Sequence, residues 1–377
     1  MRHGRSLRAL VASVGVIGVA ALLAAAPGPA MTRPGTSFSH AAKQTSAKPA
    51  VTIKPNFAFF KGKTITYIVP NAAGTPAGNT FVAMQSALAK YLGATVNIVY
   101  NSSSNILGMD QVSVAKNDGL TLGMMFVQSI LFQNFTPNSA NVNFDVLHSS
   151  YIGSTGAIAP VYVACPGSPT ISSLTQLNSG EVTANVIVNS TGISGMELKL
   201  LFGAYGWPHK YIEGYVSKTQ IVGCERGDGN MTLTVPGNVL TADGTAFVPG
   251  VVPLMLLGSI PAKSPQSFVS GLVPSVETWS KTHPPKTAAG KKELQFLLQF
   301  ASANAPQYAS FGPKGIPAAR LLALQDAFAA VMKQQAVKDG YIQNGVAPLW
   351  NTPDSVVHYF RQQFGHGQLI KQYMSQP

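Results

Sequence analysis

Acidic side chains are scarce in this chain: 14 aspartates and glutamates stand against 26 lysines and arginines in 377 residues, a formal net charge of +12. No two carboxylates sit in a pattern that resembles a general acid–base team. The seven histidines (His3, His40, His148, His209, His283, His358 and His366) show no metal-ligand spacing, so no metal site is expected. Cysteine is nearly absent, and Cys165 and Cys224 form no C-x-x-C motif. Two near-motifs also fail. "TGISGM" lacks the last glycine of G-x-S-x-G because Gly195 comes one residue early, and "FKGKT" has Phe57 where a phosphate loop needs glycine. Neither an enzyme nor a cofactor is expected. The basic residues are scattered singly, without aromatics between them, which describes a solvated surface and not a nucleic-acid interface.

Charge is low at 11% while 46% of residues are hydrophobic, which places the chain among folded globular proteins. Long apolar runs are confined to the start. "MRHGRSLR" is followed by the continuous run Ala9–Ala26 and then by small residues and prolines. This is the pattern of a secretory signal peptide over residues 1–30, and export to the periplasm or another extracytoplasmic space is expected. The run is also long enough for an uncleaved segment that tethers the protein to the membrane, and this alternative stays open. No cysteine precedes Cys165, so no lipid-attachment site follows the signal. Residues 31–57 are Thr-, Ser-, Ala-, Lys- and Pro-rich without periodicity, a flexible leader. In an exported chain Cys165 and Cys224 are open to two readings, a disulfide or two buried thiols, because spacing alone does not supply the geometry.

Beyond Phe60 short strands alternate with helices. "TITYIVP" and "ATVNIVY" read as strands, with a helix from Gly78 to Leu92 between them, and "DGLTLGMM" supplies a third strand. A second series follows in "VYVAC", "EVTANVIVN" and "STGISGMELKLLFGAYG", and residues 235–258 read as strands returning to the first domain. "KKELQFLLQFASA" and "IPAARLLALQDAFAAVMKQQAVKDGYIQN" are amphipathic helices, Pro317 suiting a first turn and Gly340 interrupting near the end. The order predicts an α/β protein with mostly parallel sheets, the first lobe over 58–159, the second over 160–254, and a return to the first over 255–377. Ligands of such sheets bind beyond the carboxyl ends of strands, where loops lead into helix N-termini. Three loops there are made of small polar residues: "AAGTPAGN", "NSSSN" and "NSTGISG". Free N–H groups at a helix start carry partial positive charge, so several such loops can hold a carboxylate without an arginine.

These residues resemble a known family, the Bug-type solute receptors of tripartite tricarboxylate transporters. The resemblance rests on Ile68-Val69-Pro70, Ala72-Ala73-Gly74, Leu92-Gly93, a strand ending at Asn101, a turn to Gly108, and Asp118-Gly119. It continues through "FDVLHSSYIGS", Gly214-Tyr215, Arg226-Gly227-Asp228, and Pro313, Gly315 and Pro317, from about Lys61 to Tyr373. This chain departs from the pattern at Thr75, where the family has a second glycine, and at Gly78 or Asn79, where it often has an aspartate.

The resemblance implies a type II periplasmic-binding-protein-like fold, two α/β lobes with a ligand cleft between them. It implies a monomeric receptor that hands a small di-, tri- or aromatic carboxylate to membrane transporter subunits. A sensing receptor for a membrane kinase and an exported enzyme with an unrecognised site are the alternatives. The ligand-binding residues expected are Asn71, Ala72, Ala73, Gly74, Thr75, Gly78 and Asn79 in the first loop, and Asn101, Ser103 and Asn105 in the second. Ser190, Thr191, Gly192, Ser194 and Gly195 are expected in the third, with Gly214, Tyr215 and Asp228 added by the resemblance. With no acid at Gly78 or Asn79, a ligand ammonium has no counter-charge there, so a plain carboxylate is expected over an amino acid.

Overall fold

The computed structural model describes residues 52–101, 105–135, 144–188, 193–215, 217–301 and 305–374. The expected signal peptide and most of the leader lie outside the described residues, as do Ser103, Ser190, Thr191 and Gly192. The end of the leader belongs to the fold: the Asn56 N–H donates to the Ala319 carbonyl (2.7 Å), and its side chain accepts from the Phe59 N–H.

Among the described residues twelve strands follow in chain order: β1 (Thr64–Val69), β2 (Thr95–Tyr100), β3 (Thr121–Phe126), β4 (Ser150–Ser154), β5 (Ala157–Ile158), β6 (Val161–Ala164), β7 (Ala184–Ile187), β8 (His209–Ile212), β9 (Met231–Thr234), β10 (Val252–Leu256), β11 (Tyr308–Gly312) and β12 (Val346–Ala347). They form two five-stranded sheets, β2-β1-β3-β11-β4 and β10-β6-β9-β7-β8, and a small pair β12-β5.

The sheets are mixed, not mostly parallel. β1 runs parallel to β2 and β3, and β7 parallel to β8 and β9, as strand–helix–strand alternation requires. β11 is antiparallel to both β3 and β4, and β6 is antiparallel to both β9 and β10. β6 and β11 are the strands by which the chain enters one sheet from the other, so no helical crossover fixes their direction. Residues 252–256 stay in the second sheet as β10 and do not return to the first. The return comes only at β11, after the helix Ala288–Phe300 has packed on the helix Ile193–Tyr205. A Cβ at Gly290 would overlap the Ala204 carbonyl oxygen, so glycine is what lets these two helices come so close.

The helix Pro76–Leu92 buries Phe81, Met84, Leu88 and Leu92, the face read from the spacing, and ends at Gly93 in the left-handed conformation (φ 63°). At the C-terminal end the single long helix expected is two, Ala318–Val331 and Gln335–Gln343, with Pro317 as N-cap of the first. Gly340 lies inside the second and does not interrupt it; a Cβ there would sit 2.6 Å from that of Ala83, so it marks a close helix crossing.

One side of each sheet belongs to a common apolar core. Ile68, Met125 and Phe311 of the first sheet and Tyr162, Val186 and Met231 of the second belong to the same buried cluster, joined by Ile130, Leu200, Leu297 and Phe360 from helices. The outer faces have their own cores. Cys165, just past β6, and Cys224, in the helix Ser217–Arg226, are bonded as a disulfide with Cα atoms 5.0 Å apart. That decides between the two readings of the cysteines.

Candidate functional site

A cavity of about 530 Å³ lies where strands of both sheets end in loops and helix starts. The first sheet contributes Asn71, Thr75, Pro76 and Ala77 after β1, Phe126 at the end of β3 with Gln128 and Ser129 after it, and Gln307 and Tyr308 before and in β11. The second contributes Ile193, Ser194, Glu197, Gln220 and Ile221 from helices, and Leu233, Thr234, Val235 and Asn238 from the end of β9. Ile158 and Pro160, on the crossover between the sheets, close one wall. Three helix N-termini meet there: Pro76–Leu92, Val127–Phe135 and Ile193–Tyr205. The electrostatic character is therefore mildly positive from peptide dipoles alone, since no lysine, arginine or histidine is among the described lining residues.

The loop after β1 is held by its own hydrogen bonds. The Thr75 hydroxyl donates to the Ala72 carbonyl (2.8 Å) and accepts from the Gly78 N–H (3.1 Å), capping the helix. Pro76 has no N–H, and the Asn79 N–H donates to the Thr75 carbonyl (2.8 Å). The donor the cap leaves to the cavity is thus the N–H of Ala77. Gly74 takes a left-handed φ of 81°, and a Cβ on Gly78 would lie 2.6 Å from the Ala72 oxygen. Small residues serve the tight turn here, and the turn brings Ala77 to the cavity wall.

Several lining amides are already oriented. The Ile158 N–H donates to Gln307 Oε1 (2.7 Å), which leaves the Gln307 amide nitrogen as a donor. Gln220 Nε2 donates to Thr232 Oγ1 (2.6 Å) and to the Ile187 and Leu233 carbonyls, pinning its helix to the second sheet. Asn238 Nδ2 donates to Thr234 Oγ1 (3.1 Å).

Glu197 differs from every other lining group. It is buried, its Oε2 has no hydrogen-bond partner among the described residues, and burial pushes its pKa from 4.5 to about 8. The carboxyl is therefore mostly neutral at neutral pH.

Of the expected residues, Asn71, Thr75 and Ser194 line the cavity. Ala72, Ala73, Gly74 and Gly78 build the turn behind them. The Asn79 side chain instead donates to Asn344 Oδ1 (3.0 Å), and that of Asn101 to Gln111 Oε1 (3.3 Å). Asn105 begins the helix Asn105–Ser113, and Gly195 is buried in the first turn of Ile193–Tyr205. Gly214, Tyr215 and Asp228 do not line the cavity. The Tyr215 hydroxyl donates to Asp228 Oδ2 (2.8 Å), and Arg226 pairs with the same carboxylate, holding it below the usual range. Tyr215, Arg226 and Asp228 make a local cluster that ties the helix end at Arg226 to the loop after β8.

Sequence reasoning missed Gln128, Glu197, Gln220, Asn238 and Gln307. One signal was available: in "GMELKLLF" a lone glutamate interrupts an apolar helical face. Positions 78 and 79 carry no acid, as read from the sequence, but an acid from the other sheet does line the cavity: Glu197, in the helix Ile193–Tyr205.

No known family profile and no curated protein matches the sequence. Solved structures do match the fold. The periplasmic binding protein BugD is 16% identical with a TM-score of 0.60, the match covering 83% of this chain and 98% of that one. MatC from Rhodopseudomonas palustris, with bound malate, is 15% identical with a TM-score of 0.58 over 83% and 99%. A TctC solute-binding protein from Polaromonas is 14% identical with a TM-score of 0.56 over 83% and 98%. The chain thus has the two-lobed α/β fold of periplasmic binding proteins, and the resemblance read from its motifs holds at the level of the fold.

Proposed function

We propose that this protein is an extracytoplasmic solute-binding receptor of the Bug type, which captures a small carboxylate between its two sheets and delivers it to a tripartite tricarboxylate-type membrane transporter. The observation that carries this reading is the convergence of three helix N-termini on a cavity with no cationic side chain among its described lining residues. Neutral donors suit a receptor that must release its cargo, because they hold an anion without the strongly hydrated charge that a lysine would have to bury. The malate bound to the structurally similar MatC is a ligand of the same chemical class. Phe126, Tyr308, Ile193, Ile221 and Leu233 make much of the wall apolar, which favours a carboxylate with a hydrocarbon or aromatic body.

The ligand's carboxylate is assigned to the N–H of Ala77, the Ser194 hydroxyl and the helix start at Gln128, with Asn71 and Gln307 adding amide donors. Contacts from both sheets to one ligand supply the differential free energy for closing the two sheets on it.

A thermal-shift screen of di-, tri- and aromatic carboxylates tests the reading. A one-site ligand at a hundred times its dissociation constant stabilises by about 2.7 kcal/mol. Ser194→Leu should abolish the response to any hit while leaving the unliganded melting point near that of wild type. Turnover of a hit would point to an enzyme, and a screen with no hit would remove the carboxylate reading.

A further inference from the structure

We propose that Glu197 is the specificity-determining residue of this cavity: it faces the bound ligand as a neutral carboxylic acid and donates its O–H to the ligand's carboxylate. The inference rests on the receptor reading above and adds which ionic form the site accepts.

The geometry comes from the helix. Ser194 and Glu197 are three residues apart and both line the cavity, so an anion held at this helix start is within one turn of the Glu197 carboxyl. Glu197 is only 5% exposed, and its Oε2 lacks a partner among the described residues, although buried polar atoms are almost always bonded. An ionised carboxyl can only accept hydrogen bonds, so beside a carboxylate it would set acceptor against acceptor and like charge against like. A protonated one supplies a donor for that contact, while Oε2 itself is closed to solvent.

None of the described groups nearby offers a compensating cation. Tyr162, from β6, donates its hydroxyl to the backbone carbonyl of Glu197 (3.3 Å), and Tyr359, from the helix Pro353–Gly365, donates to the Phe300 carbonyl (2.9 Å). Both phenols are held neutral by burial. Lys199, two residues along, lies 3.6 Å from Glu213 and over the Tyr211 ring. Glu293, from the helix Ala288–Phe300, abuts Gly203 and has its own pKa raised by burial. The raised pKa of Glu197 agrees with the neutral form.

Anion binding and ionisation of Glu197 then exclude each other. Affinity should be constant from pH 6 to about 7.5 and fall close to tenfold for each pH unit above about 8. Above that point binding should take up about one proton.

The test uses the full wild-type protein with malate, adipate and benzoate as probes. Infrared spectra of ligand-free protein at pH 6.5 should show a protonated carboxyl band that Glu197→Gln removes. Calorimetry in two buffers of different ionisation heat should give the falling affinity and the proton uptake. E197Q, checked for folding by circular dichroism, keeps an N–H donor in place of the O–H, so it should bind within several-fold of wild type at pH 6 and lose the pH dependence. A wild-type affinity that is flat or rises with pH overturns the pairing. A missing band with an acid still bound overturns the pairing and leaves the receptor reading standing. A band present with none of the three acids bound overturns the carboxylate reading and the pairing with it.

Discussion

Glu197 shows how burial of one carboxyl makes stability depend on pH. Its folded pKa of about 8 lies above the ordinary 4.5, so well below 4.5 the carboxyl is neutral in both states and its ionisation takes nothing from stability. As pH rises from 4.5 towards 8 the unfolded chain ionises first, and stability declines across that window before levelling off. A tenfold change in acidity on folding corresponds to about 1.4 kcal/mol. Glu197→Gln should therefore unfold at higher urea than wild type at pH 8, with the difference nearly gone at pH 5. A difference independent of pH would mean that this carboxyl ionises as easily folded as unfolded. At this scale the sequence was partly legible. Asn71, Thr75 and Ser194, read from the loop chemistry of strand–helix junctions, line the cavity. Gln220 and Asn238 were not legible, because a glutamine inside a helix or an asparagine after a strand carries no local sign of what faces it.

At the scale of elements, caps and close crossings hold the site in place. Thr75 both starts the helix Pro76–Leu92 and folds back the loop that carries Ala77 to the cavity. Thr75→Ala should cost about 1 kcal/mol in urea unfolding, and should also weaken any carboxylate hit, since the Ala77 donor loses its position. Unchanged affinity would take this helix start out of the site. The pair Ile193–Tyr205 and Ala288–Phe300 depends on Gly290, and Gly290→Val should lower stability by about 1–3 kcal/mol through forced separation of the helices. A variant melting at the wild-type temperature would show that the pair has slack. The helices were legible from apolar spacing, Phe81 to Leu92 above all. Strand direction in β6 and β11 was not, because alternation of strand and helix implies parallel pairing only where a helix makes the crossover.

For the whole molecule, the division into two sheets followed from repeated strand–helix order, but the point of return did not. Residues 252–256 and the helix Ala288–Phe300 stay with the second sheet because contacts distant in sequence hold them there, Leu294 and Leu297 packing into the core shared with Leu198 and Leu201. The pairing of Cys165 with Cys224 likewise depends on two chain positions 59 residues apart coming within 5.0 Å. Closing a loop of that length stabilises by about 4 kcal/mol in the chain-entropy account. A Cys165→Ser, Cys224→Ser double variant should show that loss in urea unfolding, and equal midpoints would mean that the unfolded chain is already confined there. Among the described residues no helix is long and apolar enough to cross a membrane, so the folded part itself makes no helical span.

The bridge between β6 and the helix Ser217–Arg226 also leaves a record of the molecule's history. Disulfides persist where the surroundings oxidise thiols and are rare in cytosol. A copy retained inside a cell would thus keep both sulfhydryls, and one that had crossed the membrane would have none. Counting reactive thiols on unfolded protein, fraction by fraction, would test the proposed export without any ligand.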